Sequence, residues 1–366
     1  MKLAELTAAA PRLALVGLAK NTGKTVALNA LLGELAAERE PVGVTSVGRD
    51  GERNDVIDFR IEKPLVRLGA GDLVATTDGL LAASGIPHEL LQRTGVRTPM
   101  GEVLLARLDG AGTVEIAGPS AAADTRAVAD SMLAAGARRV IIDGAIDRRA
   151  ASSPDVSDGL VMSTGAILSE DRDEVVARTV EAVALVRLPP LDTEGQGALA
   201  RRLAATLGPN VSAFAGEDGR AAPLPERFVL TAEAAEIAER MRAAPSPSLL
   251  LVAGALPQRF LDGLVPQVRR AGTPLTVVVS DPTRLFLSGR GVEHYARAGI
   301  ELRVLRPIQL LALTVNPVAP QSHSFDSATL RAQLAEAIGD LPVFDVLHPS
   351  YTGSAPPMPG MRRASA

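Results

Sequence analysis

The 366-residue chain contains no cysteine and no tryptophan, and only four histidines. Without cysteine there are no disulfides, thiolate nucleophiles, iron–sulfur clusters or Cys-based zinc sites. His88, His294, His323 and His348 are too scattered to form a metal-ligand pair at helical spacing. Aromatics make up 2%, too few for a base-stacking platform. The formal net charge of −4 gives no electrostatic reason to bind nucleic acid. No uncharged run is long enough to span a membrane. The N-terminal "MKLAELTAAAPRLALVGLAKN" lacks a long apolar core followed by a cleavage site, so residues 12–16 read as a strand and not as part of a signal peptide. These absences lead us to expect a soluble, cytoplasmic protein.

What is present is a chain long enough for two buried cores, with hydrophobic residues at 46%. Short apolar runs alternate with amphipathic stretches, which predicts an α/β architecture with a mainly parallel sheet. After a strand at 12–16 comes a helix at about 25–37 and a strand at 41–46. Two hairpins are expected, 65–68 with 73–76 and 103–108 with 113–116, each across a glycine-bearing turn. The stretches 138–148 and 159–168 each give a buried strand, the first ending in acid, followed by a helix at 172–184 and a strand at 184–188. The Gly/Pro/Ala-rich stretch 209–225 marks a boundary. The expected organisation is a nucleotide-binding domain at 1–215, a second, smaller α/β domain at 220–350, and a flexible tail at 351–366. The second domain is expected to hold strands at 228–231, 249–253, 275–280, 301–304 and 310–315.

The most informative stretch is "GLAKNTGKT", 17–25. It ends like the phosphate loop G-x-x-x-x-G-K-[ST], but Gly17 and Gly23 are one residue further apart than that motif allows. The chemistry survives this irregularity. Gly23 permits close backbone approach, Lys24 reaches terminal phosphates and the Thr25 hydroxyl coordinates Mg²⁺. A strand before the loop and a helix after it give the right context. Gly17, Lys20, Asn21, Thr22, Gly23, Lys24 and Thr25 are thus the candidate nucleotide-binding residues. An extra lysine before the loop reaches across a homodimer interface in one subclass of such ATPases. Lys20 lies one position closer to Lys24 than that lysine does, so an ordinary phosphate-facing or surface lysine is favoured.

Such a site needs a carboxylate at a neighbouring strand end. Asp143 in "VIIDGA" is the first candidate for Mg²⁺, and a cap or turn residue is the alternative; Asp147 and Arg148 after it read as a surface pair. The charged stretch "TSVGRDGERNDV", 45–56, offers Arg49, Asp50, Glu52, Arg53 and Asp55. Asp50 would hold Mg²⁺ through water or orient an attacking water, against a merely solvated loop. Lys24, Asp50 and Asp143 are the candidate catalytic residues. Thr164 and Gly165, ending a strand on the loop's side of the sheet, would meet the base or a second substrate. Lys63-Pro64 and Thr76-Thr77 would line the same pocket. Asp281, Asn316 and His323 stand at strand ends of the expected second domain, where the prolines after Asp281 and Asn316 also suffice to end strands.

Taken together, "GLAKNTGKTVALN", "GVTSVGRDGERNDV", the Lys-Pro at 63–64, "IIDGAIDR", "STGAILS", "SDPTRLFL" and "LTVNPVAP" resemble one family over most of residues 12–346. It is the P-loop subunit of the lysine 5,6-aminomutase reactivase. The resemblance implies a P-loop NTPase that uses ATP and Mg²⁺. It would work with a second reactivase subunit to release damaged cofactor from an adenosylcobalamin-dependent aminomutase. Gly23, Lys24 and Thr25 would bind the nucleotide and Asp143 the Mg²⁺. The absence of a D-x-H-x-x-G cobalamin motif sets the chain apart from the mutase itself. The loop also resembles those of dethiobiotin-synthetase-like enzymes and molybdopterin-guanine-dinucleotide adaptor proteins. An ATP-dependent ligase or kinase, using Lys63, Thr76 and Ser120 for substrate, and a non-enzymatic adaptor are therefore the alternatives. No N-K-x-D motif is present, which favours ATP over GTP.

Overall fold

Apolar runs such as "LALV", "VII" and "LVM" have no polar side, and each forms a strand buried on both faces. That is the pattern of a covered parallel sheet. The computed structural model describes residues 2–48, 65–145, 149–192, 194–208, 210–216, 218–244, 247–320, 322–348 and 351. In chain order the elements begin with α1 (Leu3–Leu6), β1 (Arg12–Gly17), α2 (Lys24–Ala37), β2 (Val42–Ser46), β3 (Val66–Leu68), β4 (Leu73–Thr77) and α3 (Asp78–Ser84). They continue with β5 (His88–Thr98), β6 (Gly101–Leu108), β7 (Gly112–Val114), α4 (Ala122–Ala134), β8 (Arg139–Ala145), β9 (Gly159–Gly165) and α5 (Arg172–Val186). Next are α6 (Gln196–Leu207), β10 (Ala213–Gly216), β11 (Ala221–Pro223), α7 (Phe228–Thr231), α8 (Ala234–Ala243), β12 (Pro247–Leu251) and β13 (Leu256–Pro257). The last are α9 (Gln258–Ala271), β14 (Leu275–Val279), β15 (Leu285–Phe286), α10 (Val292–Arg297), β16 (Ile300–Val304), β17 (Leu310–Asn316), α11 (Ser327–Ile338) and β18 (Val343–Phe344).

The chain divides into two units, Met1–Thr179 with Gln309–Ala366, and Val180–Ile308. The first unit holds a nine-stranded sheet in the order β18-β17-β9-β1-β8-β2-β4-β6-β5. Neighbours from β18 to β4 are parallel, and β6 and β5 finish one edge antiparallel. β1 is central, between β8 and β9, so the loop that follows it leaves from the middle of the sheet. α2 buries Ala27, Leu28, Leu31, Leu32 and Leu35 in this core. Its two buried polar residues act as clamps. Asn29 donates to the Leu65 carbonyl at 3.0 Å and accepts from the Arg67 N–H at 3.1 Å. Glu34 accepts from the Ala4 N–H at 2.8 Å and from the Tyr351 hydroxyl.

The second unit is built on a five-stranded sheet in the order β11-β10-β12-β14-β16. β12, β14 and β16 are parallel and β10 is antiparallel to both its neighbours. Its core includes Phe214, Phe260 and Tyr295, all fully buried.

Mixed α/β architecture with a large, mostly parallel sheet was legible in the sequence; several connections were not. The second unit is an insertion, and the strand expected at 310–315 in the second domain is β17, beside β9 in the nine-stranded sheet. The 209–225 stretch is no boundary. It supplies the antiparallel pair β10–β11 within the second unit, with Gly219 turning the chain at a φ of +79°. The two expected hairpins also re-pair: β3 joins β7, and β4 lies between β2 and β6. The Asp72 carboxylate helps to fix β4 beside β2, accepting from the Gly69 N–H at 2.8 Å and the Val42 N–H at 3.1 Å. It ties the turn to β2, while burial raises its pKa. The strand expected at 184–188 is the end of α5, and that at 228–231 is α7. Apolar runs this short do not separate strand from helix. Among the described residues, no helix is long and apolar enough to cross a membrane.

The chain has two tyrosines, one in each unit, and both are held protonated. Burial, then the hydrogen bond to Glu34, pushes the Tyr351 phenol upward; burial, then the 2.9 Å bond to Asp262, does the same for Tyr295. A raised folded-state pKa stabilises the fold below the unfolded value of about 10, and this contribution is lost as pH rises beyond it. In an alkaline titration, tyrosinate absorbance should therefore rise together with loss of circular dichroism, and not near pH ~10 as in the denatured chain. Tyr351→Phe should cost about 1–2 kcal/mol at neutral pH, read as a lower denaturant midpoint at unchanged slope.

Candidate functional site

The loop after β1 is shaped by a close approach. A Cβ on Gly17 would lie 2.5 Å from the Thr22 hydroxyl, which is buried and donates to the Ala19 carbonyl at 3.0 Å. Gly17 is thus the residue over which the loop closes, and the extra position is taken up between Gly17 and Thr22. Asn21 and Gly23 both have left-handed backbone, at φ 65° and 83°. Glycine adopts this without cost, whereas asparagine is one of the few side chains that tolerate it. Gly23 is the N-cap of α2, so this fourteen-residue helix begins with no side-chain cap. Its first-turn N–H groups have no partners within the helix, and the positive end of its dipole opens on the loop.

Lys24, the first helical residue, places its Nζ 2.8 Å from Asp143 Oδ1 and donates to the Gly144 carbonyl at 2.9 Å. Asp143 is on β8, directly beside Leu15 of β1 and Ser46 of β2. Its Oδ1 is buried and accepts no aligned hydrogen bond among the described residues, so its contact with Lys24 is chiefly Coulombic. Both side chains are partly exposed, at 22% and 23%. An ion pair at this exposure contributes about 1 kcal/mol or less. Gly144 gives room for this corner, since a Cβ there would meet Ala151 Cβ at 2.6 Å.

The other predicted residues fall into three groups. Lys20 is exposed on the loop, and Thr25 is partly buried in the first turn of α2. Thr164 is fully buried, and its hydroxyl is bonded to that of Thr179 at 2.7 Å, which takes the side chain away from any ligand. Thr76 does not line the loop. With Ser46 it pins residues 115–118 across β2 and β4, accepting from the Ala117 N–H at 3.0 Å and donating to the Glu115 carbonyl at 3.0 Å. The Thr77 hydroxyl is buried without a partner among the described residues, and Ser120 is exposed before α4. Asp50 lies outside the described residues, as do Arg49, Glu52, Arg53, Asp55, Lys63, Pro64, Asp147 and Arg148.

Asp281 and His323 have structural partners. Asp281, fully buried, accepts from the Ser280 hydroxyl at 2.9 Å and the Thr283 N–H at 3.0 Å, capping a short 3-10 turn. His323 joins two loops through the Ser169 carbonyl and the Ser322 hydroxyl, both at 2.9 Å. Asn316 was misplaced by the sequence reading. It ends β17 and touches the loop, its Nδ2 donating to the Asn21 carbonyl at 3.0 Å. The Asn-Pro at a strand end was visible, but the insertion hid which sheet the strand joins.

Among the described residues no cluster of three or more acidic or histidine side chains could hold a metal. A nucleotide-borne Mg²⁺ needs less, because the phosphates and water supply most of its ligands. The buried, unaligned Asp143 Oδ1 and the Thr25 hydroxyl fit such an ion. A cleft of about 650 Å³ in the second unit, lined by Asp192, Gln196 and Glu301 among others, contains none of the loop residues. No family model, curated protein or solved structure matches the chain.

The close approach at Gly17 leads to a direct expectation. Gly17→Ala should displace the Thr22 hydroxyl from the Ala19 carbonyl and distort the loop. In amide hydrogen exchange, protection in residues 18–23 should drop while that of β8 and β9 is retained.

Proposed function

We propose that the chain is a P-loop NTPase that binds Mg-ATP at residues 17–25. The observation that carries this is the Lys24–Asp143 pair, set at the uncapped start of α2 and at the ends of the central parallel strands. In such sheets the crevice beyond the strand carboxyl ends is where ligands bind. Loop N–H groups and Lys24 would hold the phosphates, with Thr25 and Asp143 facing the Mg²⁺. Bound Mg²⁺ would neutralise charge developing on the phosphates. Asp143, freed from Lys24, would accept from its water shell. Asp50 remains a candidate for orienting the attacking water. ATP is favoured over GTP because the sequence has no guanine-reading N-K-x-D motif.

The output we propose rests on the sequence resemblance. ATP turnover in the cytoplasm would drive release of damaged cofactor from an adenosylcobalamin-dependent lysine 5,6-aminomutase, together with a second reactivase subunit. Lys24→Ala should weaken Mg-ATP binding by tenfold to about a hundredfold, as loss of charge-assisted phosphate contacts requires. Equilibrium titration of the folded variant checks this, and wild-type affinity in Lys24→Ala would remove the site from residues 17–25. Inactivated aminomutase, incubated with this protein, its partner subunit, ATP and fresh cobalamin, should regain turnover. If it does not, while fresh enzyme remains active in the same mixture, the reactivase output is wrong.

A further inference from the structure

We infer that Asn316 is a positioning residue for the phosphate loop, acting on its backbone from a strand that enters the sheet after the inserted unit. This rests on the reading of residues 17–25 as a phosphate site. A backbone cradle binds an anion only if its N–H groups converge inward and its carbonyls turn away. The carbonyls that turn away need donors of their own. Two of them have side-chain donors: the Thr22 hydroxyl holds the Ala19 carbonyl, and Asn316 Nδ2 holds the Asn21 carbonyl. Asn21 is the strained member of the loop, a non-glycine residue at φ 65°. Asparagine tolerates this conformation better than most residues but less freely than glycine, so a bond to its carbonyl helps to hold it.

Asn316 is itself rigidly held. Its Oδ1 accepts from the Val318 N–H at 3.1 Å. That bond fixes the amide orientation, because a flipped amide would set Nδ2 against an N–H and Oδ1 against a carbonyl. Pro317, between the two bonded residues, limits the backbone φ there. Two glycines make room for this residue. A Cβ on Gly23 would lie 3.0 Å from Asn316 Cβ, and one on Gly165 would lie 2.3 Å from the Asn316 carbonyl oxygen. Asn316 therefore packs against the left-handed Gly23 and bonds the left-handed Asn21, the two residues that give the loop its turn. Phosphate affinity should depend on Asn316 although its side chain need not touch a phosphate.

The test measures Mg-ATP and inorganic tripolyphosphate binding by calorimetry for the full-length wild type, Asn316→Asp, Asn316→Ala and Lys24→Ala, with thermal melts for each. Asn316→Asp keeps the shape but sets an acceptor against the Asn21 carbonyl. It should weaken ATP and tripolyphosphate by the same factor, about tenfold or more, and Asn316→Ala by about three- to tenfold. If Asn316→Asp fails to fold, Asn316→Ala carries the comparison. Tripolyphosphate affinity unchanged in the folded variants overturns the proposal. It does so even if ATP alone is weakened, since Asn316 would then act at the nucleoside end. Tripolyphosphate binding that survives in Lys24→Ala overturns the phosphate-site reading itself. Loss in Lys24→Ala with no change at Asn316 overturns only the role of Asn316.

Discussion

Lys24 and Asp143 come from segments more than a hundred residues apart in the chain, and the sheet sets them 2.8 Å from each other. That contact depends on three features of the fold. β1 must lie beside β8, α2 must start directly after the loop, and Gly23 must turn the chain with left-handed backbone. The pair also keeps the site balanced in the absence of ligand. An ammonium and a helix N-terminus gather positive charge at one place, and the Asp143 carboxylate offsets it. Because both side chains retain contact with solvent, the pair is weak enough to yield to a stronger anion. A deeply buried pair would resist such an exchange, since separating it leaves an uncompensated charge.

The sequence made this half of the site legible for a simple reason. The loop, its preceding strand and its following helix are contiguous, so the pattern needs no tertiary information. Asp143 was singled out because its apolar strand ends in acid and glycine, and the structure sets it beside Lys24. The irregular spacing of Gly17 was also visible, but its meaning was not. The approach of the Thr22 hydroxyl and the Ala19 carbonyl explains why glycine stands there. Thr164 and Thr76 show the opposite limit. A hydroxyl at a strand end reads as a ligand group, yet these two bond to a helix threonine and to a crossing backbone segment.

The larger misreadings concern connection. Composition suggested a cut at 209–225, where glycine, proline and alanine accumulate. In the folded chain these residues make a tight antiparallel pair inside the second unit. The true divisions fall at 179–180 and 308–309, the first of them within α5, where helical periodicity continues without a break. An insertion of this kind leaves no mark on local pattern, because both units use parallel strands and amphipathic helices. It is also why Asn316, far along the chain, could not be linked to Asn21. Likewise, β4 pairs in parallel with β2, and the Asp72 carboxylate just before it bonds the Val42 N–H, contacts that hairpin propensity does not anticipate.

The most direct test is a crystal structure with Mg-ADP and a beryllium fluoride analogue of the terminal phosphate. The account predicts that the analogue lies within hydrogen-bond reach, about 2.7–3.1 Å, of Lys24 Nζ and the first N–H groups of α2. It also predicts that Lys24 will have moved off Asp143 and that Mg²⁺ will stand between Thr25 and Asp143. Nucleotide bound elsewhere at saturating concentration, with the Lys24–Asp143 pair unchanged, would contradict it.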